Sequence, residues 1–252
     1  MILDGKLLAE KIAGELKQRA IGKKVRLAVI LVGSDPASAK YVAAKQKRAI
    51  EIGIECEIIR LPETAAQSEL MARIKELNDD AKTTGLMTQL PLPKHMDWEV
   101  AARAIDPAKD VDGLNPASGF MPATVRGIEK LLEYYKIETD GKIAVVVGRG
   151  KTAGRPAAEM LLSHDATVIQ CHTHTRDLAA MTRQADILVL AAGRKGLITG
   201  NHVKDGVVII DAGGGDAAAE SLAKASAYTP AIGGVGPMTI VSLIENAINA
   251  VA

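Results

Sequence analysis

Short runs of β-branched and other apolar residues alternate twice with helical patterns along this chain, and this alternation limits the fold more than any other feature. The first series places strand-like runs at 25–33, 54–61 and 85–90 around helical patterns at 37–52 and 66–82. The second places strand-like runs at 142–148, 166–171, 186–193 and 206–213, with helical patterns at 155–163 and 175–184. Neighbouring parallel strands need a crossover helix between them. The sequence therefore predicts an α/β fold with two three-layer lobes, each built on a parallel sheet, and a cleft between them.

The segment between the two series has a different character. Residues 91–122 are rich in proline and read as loops around one short helix. A helical pattern at 124–137 leads into the second series, and the chain ends in a helix-like segment that has Pro237 near its start, where a missing N–H is tolerated. The chain has 252 residues, which fits two small domains.

The composition excludes several classes of protein. Aromatic residues make up 2% of the chain, so a core must be aliphatic, and rings for base stacking are scarce. Lys and Arg number 31 against 30 Asp and Glu, so a nucleic-acid or anionic-membrane partner is not expected. No apolar run reaches the length of a membrane span. The two cysteines, Cys56 and Cys171, predict free thiols in a reducing compartment, and we expect a cytoplasmic protein.

A glycine-rich turn follows the strand-like run at 142–148. It contains Gly148, Arg149, Gly150 and Gly154, and a helical pattern begins directly after it. Glycine allows the backbone to turn sharply and lets phosphate oxygens approach main-chain N–H groups, and a helix start adds free donors. A purely structural turn is the alternative, but the strand before it and the helix after it favour a dinucleotide site of the Rossmann type.

The end of the next strand bears on which dinucleotide binds. The segment begins Cys171, His172, Thr173 and contains no acidic residue before Asp177, whereas an NAD site places an acid near this point. Together with Arg149, these cationic and hydroxyl groups favour NADP over NAD. His172 and His174 lack a third metal ligand, so no metal site is predicted.

Three polar residues share one face of the helix predicted at 37–52. Ser38, Tyr41 and Lys45 follow one another at intervals of three and four residues. An ordinary solvated helix face is one interpretation. A Tyr-Lys pair at this spacing also occurs in short-chain dehydrogenases, but there the glycine turn precedes the pair, so that interpretation fails.

Three further features are candidates for the same function. Gln89 ends the third strand-like run, at the strand end where open α/β sheets bind ligands. Asp110 and Asp112 would face the same side of an extended segment, where a carboxylate can accept paired hydrogen bonds from an aminopyrimidine edge. The glycine-rich bend at 233–239 precedes the last helix. Loop acids and a helix-entry turn are the structural alternatives.

These stretches together resemble a known family, the bifunctional methylenetetrahydrofolate dehydrogenase/methenyltetrahydrofolate cyclohydrolases of the FolD type. The matching stretches, in chain order, are DPASAKYVAAKQKRAIEIGI, GLMTQLPLPKH, PAKDVDGLNP, VVVGRGKTAGRP, QCHTHT and GGVGPMT. The resemblance implies NADP-dependent oxidation of 5,10-methylenetetrahydrofolate to the 5,10-methenyl form, which is then hydrolysed to 10-formyltetrahydrofolate. It places the chain in one-carbon metabolism and purine biosynthesis.

The resemblance also implies residue roles. Lys45 would be the central catalytic residue, with Tyr41 over the folate and Gln89 bonded to Lys45. Asp112 would hold the pterin edge, while Asp110 would be structural. The remaining implied contacts are to the folate, from Ser38, Gly236 and Pro237, and to the dinucleotide, from Gly148, Arg149, Gly150, Gly154, His172 and Thr173.

Domain limits and assembly follow from the same resemblance. It implies a folate-binding domain of residues 1–123 plus 240–252, an NADP-binding domain of residues 124–239, and a homodimer. The chain departs from the family pattern at Gly150, where serine is usual, and it is shorter after Asp112 and after Gly213. A monofunctional dehydrogenase and a non-catalytic folate- or nucleotide-binding protein remain alternatives, although the second would be expected to lose Lys45 or the glycine turn.

Overall fold

The computed structural model describes residues 1–251 and divides into two compact units. The first unit contains Lys11–Ala123 and the chain from Ile240 onward, and the second contains Met1–Glu10 and Thr124–Thr239. The predicted division differs at the first ten residues, which group with the second unit. The reason is backbone pairing, because the Leu3 N–H donates to the Tyr228 carbonyl and the Tyr228 N–H to the Met1 carbonyl.

The first unit is built on a three-stranded parallel sheet of order β2-β1-β3. Its strands are β1 (Arg26–Val32), β2 (Glu55–Leu61) and β3 (Gly85–Thr88). The helices in this part of the chain are α1 (Gly5–Ala20), which begins in the second unit, α2 (Pro36–Ile52), α3 (Gln67–Asp79) and α4 (Trp98–Ala104). The predicted strands and helices are confirmed, and α4 is the short helix expected in the proline-rich segment.

The second unit is built on a five-stranded parallel sheet of order β5-β4-β6-β7-β8. Its strands are β4 (Ile143–Val147), β5 (Thr167–Cys171), β6 (Ile187–Leu190), β7 (Val208–Asp211) and β8 (Ala227–Tyr228). The helices are α5 (Ala123–Tyr134), α6 (Gly154–Ser163), α7 (Leu178–Thr182), α8 (Ala219–Lys224) and α9 (Val235–Asn249), which belongs to the first unit from Ile240 onward. The predicted α/β fold class with a Rossmann-type second region is confirmed.

Each sheet has one point at which the order of strand addition reverses. In the first unit this point lies between β1 and β3, and in the second it lies between β4 and β6. Open α/β sheets bind ligands beyond the carboxyl ends of the two strands that flank such a point. The loops that follow β1, β3, β4 and β6 are therefore the places to look for binding residues.

The cores of both units are aliphatic, as the composition predicts. The central strand β1 is almost wholly buried, with Leu27, Ala28, Val29 and Ile30 fully inaccessible, and β4 is buried in the same way. Strands buried on both faces are typical of parallel sheets covered by helices. Within residues 1–251, no helix combines the length and the apolar character that a membrane crossing requires.

Candidate active site

Lys45 is buried at the centre of α2. Its side chain lies among the buried residues of that helix, and the residue is only 3% exposed. The Nζ atom donates to Oε1 of Gln89 at 2.9 Å and contacts Sδ of Met87 at 3.4 Å. Because a buried lysine is rare unless it is paired, this environment distinguishes Lys45 from an ordinary surface lysine.

Gln89 is held at the carboxyl end of β3. Its backbone N–H donates to the Ile30 carbonyl of β1, and its Nε2 donates to the Leu90 carbonyl at 2.6 Å. The second bond leaves Oε1 free to accept from Lys45. The carboxyl end of β3 therefore presents an oriented acceptor to the amine.

Met87 is a contact of Lys45 that the sequence analysis missed. Alternate residues of a strand share a face, so Met87 and Gln89 project to the same side of β3. Because Met87 lies two positions before Gln89, this rule would have predicted that Met87 faces Lys45 as Gln89 does.

Burial and charge act in opposite directions on Lys45. Burial lowers the pKa of the amine below its ordinary value, while the negative charge of Asp112 acts to raise the pKa. The Nζ atom also lies 4.9 Å from the centre of the Tyr41 ring, within the range of a cation–π contact. The net shift is downward, so a larger share of this amine is neutral than for a lysine in water.

The two aspartates of the KDVDG stretch have different environments. The expectation of an extended segment is wrong, since the chain turns here and the Gly113 N–H donates to the Asp110 carbonyl. Asp110 is buried, and its Oδ2 accepts from the Asn115 N–H at 2.7 Å. Burial raises the pKa of Asp110 to about 6. This carboxyl group organises the turn.

Asp112 is the aspartate that couples to Lys45. Burial raises the pKa of Asp112, and the positive charge of Lys45 acts to lower that pKa. The structure thus brings Lys45, Gln89, Tyr41 and Asp112 together in the first unit.

Ser38 lies at the start of α2, on the face that also carries Lys45. It is buried, and its N–H donates to Oδ2 of Asp35 at 2.7 Å, which caps the helix. Hydrogen bonds from the backbone and the side chain of Ser38 lower the pKa of Asp35. The start of α2 is therefore held in place, and with it the register that points Lys45 inward.

The glycine-rich turn after β4 is a tight backbone cradle. Gly148 has a φ of 122°, and a Cβ atom there would lie 2.3 Å from the Ala191 carbonyl oxygen. A Cβ atom on Gly154 would lie 2.4 Å from the Gly148 carbonyl oxygen. Both positions accept only glycine. Gly150 is different, because a Cβ atom there would have open space.

Arg149 and two histidines lie beside this cradle. Burial and the nearby positive charges of Arg149 and His174 lower the pKa of His172. The rings of His172 and His174 lie 5.8 Å apart, and Thr173 between them is exposed. A cradle of backbone followed by a helix, with the Arg149 cation in its turn and imidazole and hydroxyl groups at the end of the next strand, fits a dinucleotide that carries an additional phosphate.

Gly236 and Pro237 lie in the first turn of α9, within the second unit. Both are half-buried, and a Cβ atom on Gly236 would meet no neighbour within 4 Å. The bend before them is tightly packed, since a Cβ atom on Gly5 would lie 1.9 Å from the Gly234 carbonyl oxygen. The close packing of Gly5 on this bend was not predicted, because nothing in the local sequence links Gly5 to a residue more than two hundred positions away.

The fold and these groups define a class of protein: a two-unit α/β protein with a buried lysine–amide pair in one unit and a Rossmann-type dinucleotide cradle in the other. Comparison with known families supports this two-part organisation. The model for the tetrahydrofolate dehydrogenase/cyclohydrolase catalytic domain matches residues 3–112, and the model for the NAD(P)-binding domain of the same family matches residues 122–252. The chain belongs to the tetrahydrofolate dehydrogenase/cyclohydrolase family.

Individual relatives match over nearly the whole chain. The bifunctional protein FolD of Moorella thermoacetica is 46% identical over 273 residues, which cover 99% of this chain and 98% of the relative. That alignment is longer than the chain's 252 residues, so the relative contains residues that this chain lacks.

Solved structures are similar to the same extent. The structure of the bifunctional FolD enzyme of Campylobacter jejuni has a TM-score of 0.94 and 42% identity, and the similarity covers 99% of this chain and 98% of that one. The Trypanosoma brucei enzyme, solved with NADP and an inhibitor, has a TM-score of 0.92 and 32% identity, with 99% and 96% covered.

Proposed function

We propose that this chain is a bifunctional enzyme that oxidises 5,10-methylenetetrahydrofolate with NADP and hydrolyses the resulting 5,10-methenyl form to 10-formyltetrahydrofolate. Family membership over the whole chain supports both activities. The observation that carries the hydrolytic activity is the buried pair of Lys45 and Gln89, with Nζ and Oε1 2.9 Å apart. The enzyme is thus both an oxidoreductase and a hydrolase.

Lys45 is the base of the hydrolytic step in this proposal. Its lowered pKa makes the neutral amine accessible, and the positive charge of a methenyl substrate would favour that neutral form further. The neutral amine takes a proton from the water that attacks the methenyl carbon. The bond from that carbon to N5 of the folate then breaks as the added oxygen becomes the formyl carbonyl, and the second proton of the water passes to N5. Gln89 orients the amine, and the Tyr41 ring packs over the folate.

Asp112 holds the pterin in this proposal. A carboxylate can accept two parallel hydrogen bonds from an aminopyrimidine edge. Because Asp112 lies close enough to Lys45 for their charges to interact, a pterin bound there would lie near the base. Ser38, Gly236 and Pro237 complete the folate site.

NADP supplies the acceptor for the hydride that leaves the methylene carbon. The residues proposed to bind it are Gly148, Arg149, Gly150, Gly154, His172 and Thr173. The close backbone approach at Gly148 and Gly154, the cation Arg149 and the polar side chains of His172 and Thr173 support this assignment. NAD lacks the phosphate that Arg149 would contact and is the weaker ligand.

The wider organisation belongs to the same proposal. The folate-binding domain is residues 1–123 plus 240–252 and the NADP-binding domain is residues 124–239, with the first ten residues packed on the latter. The family resemblance supports a homodimer, and the free thiols of Cys56 and Cys171 support a cytoplasmic location.

The test is an assay of the purified chain with 5,10-methylenetetrahydrofolate and either NADP or NAD. The absorbance of the reduced dinucleotide and that of the methenyl product are followed separately. We expect reduction of NADP with little accumulation of the methenyl form, because hydrolysis removes it. The absence of reduced dinucleotide with both cofactors would contradict the proposal, and steady accumulation of the methenyl form would leave a monofunctional dehydrogenase.

A further inference from the structure

Asp216 makes an unusual set of contacts that the proposed reaction does not use. The residue is 1% exposed, and its carboxylate accepts three consecutive backbone N–H groups. Oδ2 accepts from Ala192 at 2.8 Å and from Gly193 at 3.0 Å, and Oδ1 accepts from Arg194 at 2.6 Å. Because hydrogen bonds to a charged acceptor are stronger than neutral ones, one buried side chain determines the shape of the turn at 191–194.

This turn contacts the glycine-rich cradle. It begins directly after β6, and the Ala191 carbonyl oxygen occupies the place that a Cβ atom of Gly148 would need, 2.3 Å away. Gly148 in turn begins the cradle that follows β4. A displacement of the turn at 191–194 would therefore reach the backbone of the cradle directly.

The position of the turn in the sheet indicates what it faces. Strands β4 and β6 are neighbours, and they flank the point at which the order of strand addition reverses. The crevice beyond the carboxyl ends of such a strand pair is where an open α/β sheet binds its ligand. The cradle after β4 and the turn after β6 are the two sides of that crevice.

Asp216 is itself held tightly. A Cβ atom on Gly213 would lie 2.1 Å from Oδ2 of Asp216, so glycine is required for the carboxylate to reach its position. The Asp216 carbonyl accepts from the Ile198 N–H at 2.9 Å. Asp211 fixes the intervening loop by accepting from the N–H groups of Gly214 and Gly215. The carboxylate is thus a rigid support.

We propose that Asp216 is a positioning residue for the dinucleotide: its carboxylate holds the turn at 191–194 as one wall of the binding crevice, in contact with the cradle at Gly148. This inference rests on the proposed dinucleotide site. It assigns to Asp216 a role in dinucleotide affinity and none in hydrolysis of the methenyl substrate, a step that consumes no dinucleotide.

The test compares Asp216→Asn with Asp186→Asn. Asparagine keeps the size of the side chain but replaces one acceptor oxygen with an NH₂ group, which would face backbone donors. Asp186 is a matched control, because its Oδ2 accepts from the Ile143 N–H at 2.9 Å just before β6 begins, at the opposite end of that strand. Three quantities are measured: the Kd for NADP by calorimetry, the KM for NADP in oxidation, and the kcat for hydrolysis of added methenyltetrahydrofolate.

For Asp216→Asn we expect the Kd and KM for NADP to rise at least about tenfold, because small displacements of a binding wall have large effects. Hydrolysis should stay within about twofold of the wild type, as should every quantity in Asp186→Asn. An unchanged Kd in a folded Asp216→Asn, or a fall of oxidation and hydrolysis in the same proportion, would overturn the inference.

A second variant covers the case in which Asp216→Asn does not fold. Gly213→Ala keeps the carboxylate and displaces it, and the same rise in Kd with preserved hydrolysis is expected. An unchanged Kd in Gly213→Ala would then overturn the inference. If the wild type binds NADP but does not oxidise the folate, the proposed function fails, whereas the comparison of Kd values still decides the role of Asp216.

Discussion

At Lys45, burial and neighbouring charges act on one amine in opposite directions. Burial lowers the pKa and is the larger effect, while Asp112 partly restores the charged form. The contacts with Gln89 and Met87 give the amine a defined position. A base in this setting becomes neutral at a lower pH than a lysine in water does, and it is still correctly aimed.

The first prediction concerns the pH dependence of hydrolysis. Because the neutral amine is the reactive form, the kcat for hydrolysis of methenyltetrahydrofolate should rise with pH to a plateau, with its midpoint below the ordinary lysine pKa of 10.5. In Asp112→Asn the midpoint should move to lower pH, since the carboxylate that favours the ammonium form is gone. A kcat that falls as the pH rises, or an Asp112→Asn midpoint at higher pH, would contradict this assignment.

A second prediction concerns Thr88, which is buried on the opposite side of β3 from Gln89. Within the described chain, its Oγ1 is buried without a hydrogen-bond partner. Thr88→Val replaces the hydroxyl with a methyl group of similar size and should raise the free energy of unfolding by about 1 kcal/mol. Denaturant unfolding measures the change.

Thr83→Val is the matched control for Thr88. The Thr83 hydroxyl is equally buried, but it donates to Asp80 at 2.9 Å. Its replacement should lower the free energy of unfolding by about 1 kcal/mol. If both variants lose stability to the same degree, the hydroxyl of Thr88 has a partner after all.

At the scale of elements, the turns at the ends of strands and helices fix the positions of the functional groups. The cradle after β4 works because its backbone takes a shape that side chains would block, at Gly148 above all. Helix α2 positions Lys45 because Asp35 caps its start and Gly53, in the left-handed conformation, ends it. The two ends of α2 are both visible in the sequence, as Asp-Pro at its start and glycine directly after it.

The third prediction compares two glycines of the same turn. Gly148→Ala should lower the free energy of unfolding by roughly 2–4 kcal/mol, because the new methyl group meets the Ala191 carbonyl and the φ of 122° disfavours alanine. Gly150→Ala should change it by less than about 0.5 kcal/mol, since open space surrounds that position. Equal effects of the two variants on thermal unfolding would show that the cradle is less rigid than described.

Some elements could not be predicted. Helix α8 and the short strand β8 lie in an alanine- and serine-rich stretch without a clear apolar period, and β8 forms by pairing with β7 at the edge of the sheet. The turn at Asp110 is not marked in the sequence, because it is closed by hydrogen bonds from the Gly113 N–H to the Asp110 carbonyl and from the Asn115 N–H to the Asp110 carboxylate. For β8, pairing with a distant strand decides the local conformation.

At the scale of the whole molecule, the strand–helix alternation was enough to predict the fold class, and the strand ends were enough to find Gln89 and the cradle. Contacts between segments far apart in the chain could not be predicted from these patterns. Asp216 reaches a turn more than twenty residues earlier, and Gly5 packs on the bend near Gly234. No local pattern marks such pairs, because the fold must exist before they meet.

The fourth prediction concerns the pH dependence of stability. The pKa of Asp110 is about 6 in the folded protein against an ordinary value of 3.8, so the folded state binds its proton more tightly. The stabilisation is present below about pH 4 and is lost as the pH rises through about 6. It amounts to at most about 3 kcal/mol, since one pKa unit corresponds to about 1.4 kcal/mol.

Asp110→Asn removes this titration. The free energy of unfolding of the wild type, measured by urea unfolding at several pH values, should therefore fall relative to that of Asp110→Asn between about pH 4 and pH 6. Parallel curves for the two proteins over this interval would mean that Asp110 does not carry the shift.

The most direct test of the whole account is the rate at which Lys45→Met hydrolyses methenyltetrahydrofolate. Methionine keeps much of the side-chain volume and removes the base, so hydrolysis should fall by a factor of about 100 or more. Lys47→Met is the control, because Lys47 lies two residues along α2 with an exposed side chain. Its hydrolysis rate should equal that of the wild type. Full hydrolytic activity in a folded Lys45→Met would contradict the account.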